Sequence, residues 1–126
     1  MNKVKKTGDK GEELTAKYLR ERGFIITKRN FHSRYGEIDI IAENEQYILF
    51  VEVKTRKNDA FVSGLSSVDI HKRRKIIATA EQYLSKSFTA LQPRFDVAEI
   101  TVFGEKERTE YKMDYIENAF SSEGYN

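Results

Sequence analysis

Hydrophobic and polar positions follow helical spacing in two segments of the chain. Residues 8–22 place small and apolar side chains on one helical face and charged side chains on the other, and Gly23 is a typical residue after a helix end. A second helix is predicted over residues 68–86. Its apolar face consists of Ile76, Ile77, Ala80, Tyr83 and Leu84. Each predicted helix therefore has one face suited to packing against a sheet.

Five segments have the continuously apolar or alternating pattern of β-strands. They cover residues 24–31, 36–42, 47–55, 94–103 and 110–120. Residues 47–55 are apolar on both alternating faces, which is typical of a central strand covered on both sides. The order α-β-β-β-α-β-β therefore predicts an α/β fold, with a mixed β-sheet of four to five strands flanked by helices on both sides.

The length of 126 residues predicts a single domain. We assign this domain to residues 1–120, with a loop at 56–67 and a disordered tail at 121–126. The start of the chain has no apolar targeting segment, and no apolar run is long enough to span a membrane. We therefore expect a soluble cytoplasmic protein with no membrane partner.

Composition narrows the chemistry that the chain can perform. The absence of cysteine excludes disulfides, thiolate metal sites and a cysteine nucleophile. The 22 basic and 20 acidic residues give a net charge of +2, which is too balanced to indicate nucleic-acid binding by itself. We expect no small-molecule organic cofactor, since the loop around Gly64 lacks the spacing of a phosphate-binding loop.

Four charged side chains share one parity on two neighbouring predicted strands. Glu37 and Asp39 lie two residues apart, as do Glu52 and Lys54. A hairpin with an even-numbered loop at residues 43–46 pairs residues whose numbers sum to 89 or 91. The first register opposes Glu37 to Glu52 and the second opposes Asp39 to Glu52. Either register places all four side chains on one face, whereas an odd loop would separate them.

Carboxylates clustered on a buried surface repel one another unless a cation or a shared proton compensates. Oxygen ligands without cysteine or histidine suit Mg²⁺ or Mn²⁺, which can activate a water molecule for attack on a phosphate. Lys54 can orient that water or neutralise the negative charge that develops on the phosphorane during attack. The pattern predicts metal-dependent phosphodiester hydrolysis; the alternative is an exposed Glu52–Lys54 pair at a strand end.

Residues 7–103 resemble the YraN family of proteins. They are also similar to the wider restriction-endonuclease-like superfamily with its PD-(D/E)xK motif, which includes the archaeal Holliday-junction resolvases. The matching residues are GDKGEELTAKYLRERGF (8–24), Asn30, GEIDII (36–41), FVEVKTR (50–56), VDIHKRRK (68–75) and RFDV (94–97).

This resemblance implies a restriction-endonuclease-like fold and a Mg²⁺-dependent nuclease mechanism, but it does not supply a substrate. The function we prefer is an endonuclease-like enzyme that acts on DNA in repair, recombination or DNA processing. The implied catalytic residues are Asp39, Glu52, Lys54 and Glu12. The implied metal ligands are Asp39, Glu52 and the backbone carbonyl of Val53. Ile38 stands where the motif has a proline, a mild departure because that proline is not a ligand.

Two acidic candidates have plain structural alternatives. Glu12 is a candidate metal ligand, but Asp9 and Glu12 also fit a capping box in which Asp9 begins the helix. Glu37 is a further candidate for the metal site, and its alternative is a residue that only begins a strand. Asp96 is expected to pair with Arg94 or with a neighbouring strand.

Basic residues near the predicted site are candidates for phosphate binding. They are Lys72, Arg56, Arg73, Arg74 and Lys75. For the arginines and Lys75 the alternative is a solvated helix face, and for Lys72 it is a stem that packs on the core while its ammonium reaches water.

Two rival functions remain open. One is a nucleic-acid-binding module that keeps the fold without turnover, and the other is an interaction protein whose carboxylates bind a structural cation. The choice between DNA and RNA, the shape of the substrate and endo- or exonuclease action also stay open. A homodimer is suggested only by analogy with resolvases, whose junction substrate is two-fold.

Overall fold

The computed structural model describes residues 6–58 and 68–123, which form two α-helices, five β-strands and one short 3₁₀ turn. The helices are α1 (Lys6–Glu21) and α2 (Ile70–Ser87). The strands are β1 (Ile25–Ser33), β2 (Gly36–Glu43), β3 (Tyr47–Lys57), β4 (Gln92–Phe103) and β5 (Glu110–Phe120). Within these ranges, neither helix has the length and apolar character needed to cross a bilayer.

The strands form one sheet in the order β1-β2-β3-β4-β5. β3 and β4 pair in parallel across the α2 crossover, and the other neighbours are antiparallel. Ala16 and Leu19 of α1 pack on one side of the sheet, while Ile76 and Ala80 of α2 pack on the other. The structure therefore confirms the predicted α/β class and is consistent with a restriction-endonuclease-like fold.

β3 lies at the centre of the sheet and is covered on both faces. Ile48 and Phe50 belong to the core beneath α2, and Leu49 and Val51 belong to the core beneath α1. All four side chains are buried. Two alternating apolar sets on one strand require two covered faces, so the prediction of a central strand is confirmed.

The boundaries of α1 and β3 differ from prediction near the charged residues, and those of α2, β1, β2 and β4 also shift by one or two residues. The helix α1 begins at Lys6, two residues early, and ends as expected before Gly23, whose φ of +89° suits glycine. β3 continues through Arg56 and Lys57, which the sequence predicts to lie in a loop, because both residues pair with β4. The rest of that loop, 59–67, and residues 124–126 of the predicted tail lie outside the described residues.

Close packing of α1 brings its second turn onto the sheet. A Cβ at Gly11 would collide with the hydroxyl of Thr55 and would crowd Ile100. Glycine is therefore required sterically at this contact, and the approach carries the neighbouring Glu12 towards the end of β2 and β3 where the charged residues lie.

Candidate metal and nucleic-acid site

The site lies where β2 and β3 separate. Their paired residues run from Glu43–Ile48 to Ile40–Val51, and the numbers of each pair sum to 91. This is the second of the two predicted registers, which opposes Asp39 to Glu52. At Asp39 the side chain joins the two strands, because the Val53 amide donates to Asp39 Oδ2 at 2.7 Å.

Asp39 and Glu52 meet at this point with their carboxyl groups in contact. The side chain of Glu52 is only 5 % exposed. The pKa of Asp39 is raised to about 7, first by burial, then by repulsion from Glu52 and by the hydrogen bond between the two groups. The two carboxyl groups therefore lie close together on one face of the sheet, as their shared parity predicts.

Two lysines supply positive charge to this pair. Lys72 Nζ lies 3.3 Å from Glu52 Oε2, whereas Lys54 Nζ lies 4.0 Å from the same oxygen. Burial lowers the pKa of Lys72, but attraction to Glu52, and then to Asp39 and Glu37, outweighs burial and leaves the pKa raised. The nearer cation thus comes from α2 and not from the strand that carries Glu52.

Glu12 lies beside the site, but the capping box proposed for it is wrong. Because α1 begins at Lys6, Asp9 lies inside the helix and is not its N-cap. The Glu12 side chain is 13 % exposed and its Oε1 lies 3.4 Å from both Arg29 and Asn30. Burial, followed by repulsion from Asp39, raises the pKa of Glu12, although Arg29 opposes this.

Asn30 lies beside the candidate site, a position that the periodicity of the sequence did not single out. It has a φ of +52° and lies in β1 between the residues that pair with Ile38 and Ile40, hence beside Asp39. Asparagine is among the few residues other than glycine that adopt this conformation readily. An asparagine within the predicted strand 24–31 was the available signal.

The residues present fit a cation site in which the protein supplies only some of the ligands. Among residues 6–58 and 68–123, no three acidic or histidine side chains are grouped so that they could hold a metal ion. Mg²⁺ is commonly held by one or two carboxylates, with water and substrate phosphate as its other ligands. The carboxylates of Asp39 and Glu52 satisfy that requirement. The Glu37 carboxylate pairs with His32 at 3.2 Å. The ligand roles of Glu37, Glu12 and the Val53 carbonyl stay predictions.

Two of the arginines predicted to bind phosphate also make contacts within the protein. Arg56 pairs with the buried Glu99 at 3.2 Å, and Arg73 Nε donates to the Val68 carbonyl at 2.9 Å. A glutamate within the apolar strand β4 was a signal for the first pair. Arg74 and Lys75 are exposed on α2, and their predicted phosphate contacts stay predictions, as do those of Arg56 and Arg73.

Asp96 lies in a separate network, and its expected pairing with Arg94 is confirmed. Arg94 donates to both Asp96 oxygens, the Tyr115 hydroxyl donates at 2.6 Å and the Asn118 amide donates at 2.9 Å. The last contact holds the irregular segment of β5, where the pairing with β4 shifts between Phe95 and Val97. This network stabilises the sheet.

Comparisons with known proteins place the chain in a family. A family model described as "Uncharacterised protein family UPF0102" matches residues 11–100, which include Glu12, Asp39, Glu52 and Lys54. A UPF0102 protein of Caldanaerobacter subterraneus subsp. tengcongensis is 43 % identical over 123 residues, covering 95 % of this chain and 100 % of the relative. A UPF0102 protein of Clostridium acetobutylicum is 43 % identical over 117 residues, covering 92 % and 94 %, respectively. Their descriptions name no activity. The chain belongs to the UPF0102 family.

Proposed function

We propose that this protein is a metal-dependent nuclease that hydrolyses phosphodiester bonds in DNA. One observation carries the proposal: the half-buried carboxyl group of Asp39 contacts the buried carboxyl group of Glu52, which lies beside two lysine ammonium groups. Two carboxylates and two lysines form a site for a divalent cation and a phosphate, the components of phosphodiester hydrolysis.

The proposed role of each residue follows from its contacts. Asp39 and Glu52 would hold Mg²⁺ or Mn²⁺, which when bound would polarise the phosphate and lower the pKa of a water molecule. The Val53 amide keeps the Asp39 carboxyl between the strands, so its orientation is set before the cation binds. Lys54 stabilises the negative charge that builds up on the phosphate, and Lys72 binds a phosphate oxygen.

Resemblance extends the proposal beyond the chemistry of the site. The PD-(D/E)xK superfamily and its resolvases suggest endonuclease or resolvase-like action in repair, recombination or DNA processing, with a homodimer as the working form. We place this activity in the cytoplasm, as expected from the sequence. The two rivals are a nucleic-acid-binding module without turnover and an interaction protein with a structural cation. Both rivals share the fold, so only chemistry and binding separate them.

The deciding experiment is a cleavage assay on single-stranded, duplex and branched DNA and on RNA, with Mg²⁺, Mn²⁺ or EDTA. We expect cleavage of at least one DNA substrate with metal, and none with EDTA or with Asp39→Asn. Glu81→Gln, an exposed acidic residue of α2, is the matched control and should cleave like wild type. Salt-dependent binding without cleavage would favour the first rival, and neither binding nor cleavage would favour the second.

A further inference from the structure

The position of Lys72 at Glu52 is not explained by phosphate binding alone. Its ammonium lies 3.3 Å from Glu52 Oε2, closer than Lys54 and from a different element of the fold. A buried carboxylate is strongly destabilising without a counter-ion. In the structure, Lys72 supplies that counter-ion.

The surroundings of Lys72 hold its backbone but leave its ammonium a path to solvent. The Lys72 amide donates to Asp69 Oδ1 at 2.9 Å, and this bond caps the start of α2. The Lys72 side chain is 37 % exposed. A fixed backbone and a flexible, partly exposed stem allow the ammonium to leave Glu52 without moving the helix.

We propose that Lys72 is a resident counter-ion that competes with the metal for Glu52. The ammonium and the divalent cation bind this carboxylate alternately, and metal binding releases the ammonium towards the substrate phosphate. This inference rests on the metal site of the proposed function. Competition of this kind weakens metal binding in the free protein and frees a phosphate-binding group once metal is bound.

The first test measures Mn²⁺ affinity by titration calorimetry at pH 8 on the protein without nucleic acid. Lys72→Met keeps most of the stem but removes the charge, and we expect it to tighten Mn²⁺ binding about tenfold or more. Lys72→Arg keeps the charge and should bind Mn²⁺ like wild type. Lys86→Met, an exposed lysine at the other end of α2, is the matched control and should not change the affinity.

The second test follows the Lys72 amine itself, because removing any nearby charge would affect metal affinity. Acylation of lysines by an activated ester is compared by mass spectrometry with and without saturating Mg²⁺. We expect labelling of Lys72 to rise several-fold with Mg²⁺ in the wild-type protein and to stay constant in Asp39→Asn. Labelling of Lys86 should stay constant in both proteins.

Unchanged Lys72 labelling with metal, or Lys72→Met that binds Mn²⁺ no more tightly than wild type, would overturn the inference. Failure of both wild type and Lys72→Met to bind Mn²⁺ would overturn it as well. Neither test uses DNA or cleavage, so the nuclease proposal can fail while this inference holds. Conversely, metal-dependent cleavage with unchanged Lys72 labelling would leave the nuclease standing and remove the competition.

Discussion

Asp96 and Asp39 are two sheet aspartates in very different surroundings. Asp96, which is fully buried, receives hydrogen bonds from Arg94, Tyr115 and the backbone of Asn118. Asp39 receives one from the Val53 amide and otherwise faces the carboxyl group of Glu52.

The difference separates a structural carboxylate from a functional one. A buried charge supplied with donors on every side strengthens the fold, and its loss leaves those donors unpaired. A carboxylate that faces another carboxylate keeps unfavourable electrostatic energy that a ligand can relieve. The two aspartates should therefore respond in opposite directions to the same substitution.

Replacement of Asp96 is expected to have the largest effect on stability. Asp96→Asn removes the charge opposite Arg94, whose side chain is largely buried, and should lower the free energy of unfolding by about 3 kcal/mol. Urea unfolding at pH 8 measures this. A loss below about 1 kcal/mol would mean that the network is not the stabilising feature described above.

Asp39→Asn should have the opposite sign. Asparagine can still accept from the Val53 amide, while repulsion from Glu52 is removed. In EDTA at pH 8 we expect the free energy of unfolding to stay unchanged or to rise by about 1–2 kcal/mol. A loss beyond roughly 2 kcal/mol would instead make Asp39 part of a satisfied structural network.

The pH dependence of stability provides a finer comparison. Because the pKa of Asp39 is raised from 3.8 to about 7, the folded protein holds a proton between these values that the unfolded chain has released. The stabilising contribution of that proton is present at low pH and is lost as pH rises through about 7, at up to about 1.4 kcal/mol per pH unit. Metal-free wild type should therefore lose more stability than Asp39→Asn between pH 5 and pH 8. Parallel urea midpoints for the two proteins across this range would contradict the assignment.

The smallest effect on stability is expected at Glu12. Glutamine keeps a hydrogen-bond acceptor for Arg29 and Asn30 but removes the charge that repels Asp39, so Glu12→Gln should change the free energy of unfolding by less than about 0.5 kcal/mol. If Glu12 belongs to the site, cleavage should fall sharply in the same variant. Glu81→Gln is the control for both readouts; Glu13 is unsuitable, because it pairs with Arg29 at 2.8 Å. Cleavage equal to wild type would remove Glu12 from the site.

Much of the fold and the core of the site could be predicted from periodicity. A strand has a side-chain period of two, so the parity of Asp39 and Glu52 and an even hairpin loop were enough to place both on one face. The central position of β3 followed from its two apolar faces. These inferences depend only on local geometry, which sequence spacing describes well.

Contacts between elements were harder to predict. The approach of Lys72 to Glu52 depends on how α2 crosses the sheet, and the pair of Arg56 with Glu99 depends on parallel pairing that extends β3 beyond its apolar residues. The capping box at Asp9 fitted the local pattern, yet the helical backbone continues to Lys6. For Lys72 and Arg56, packing between elements decided which contact formed.

The central claim is that Asp39 and Glu52 form a cation site, and Mn²⁺ titration calorimetry at pH 8 tests it most directly. The wild-type protein should bind one Mn²⁺ per chain, and Asp39→Asn should lose that binding, because asparagine cannot supply the second negative charge. Asp39→Asn is well suited to this comparison, since it is expected to stay folded. Binding of equal strength in both proteins, or no Mn²⁺ binding to wild type, would contradict the assignment of this carboxylate pair as a metal site.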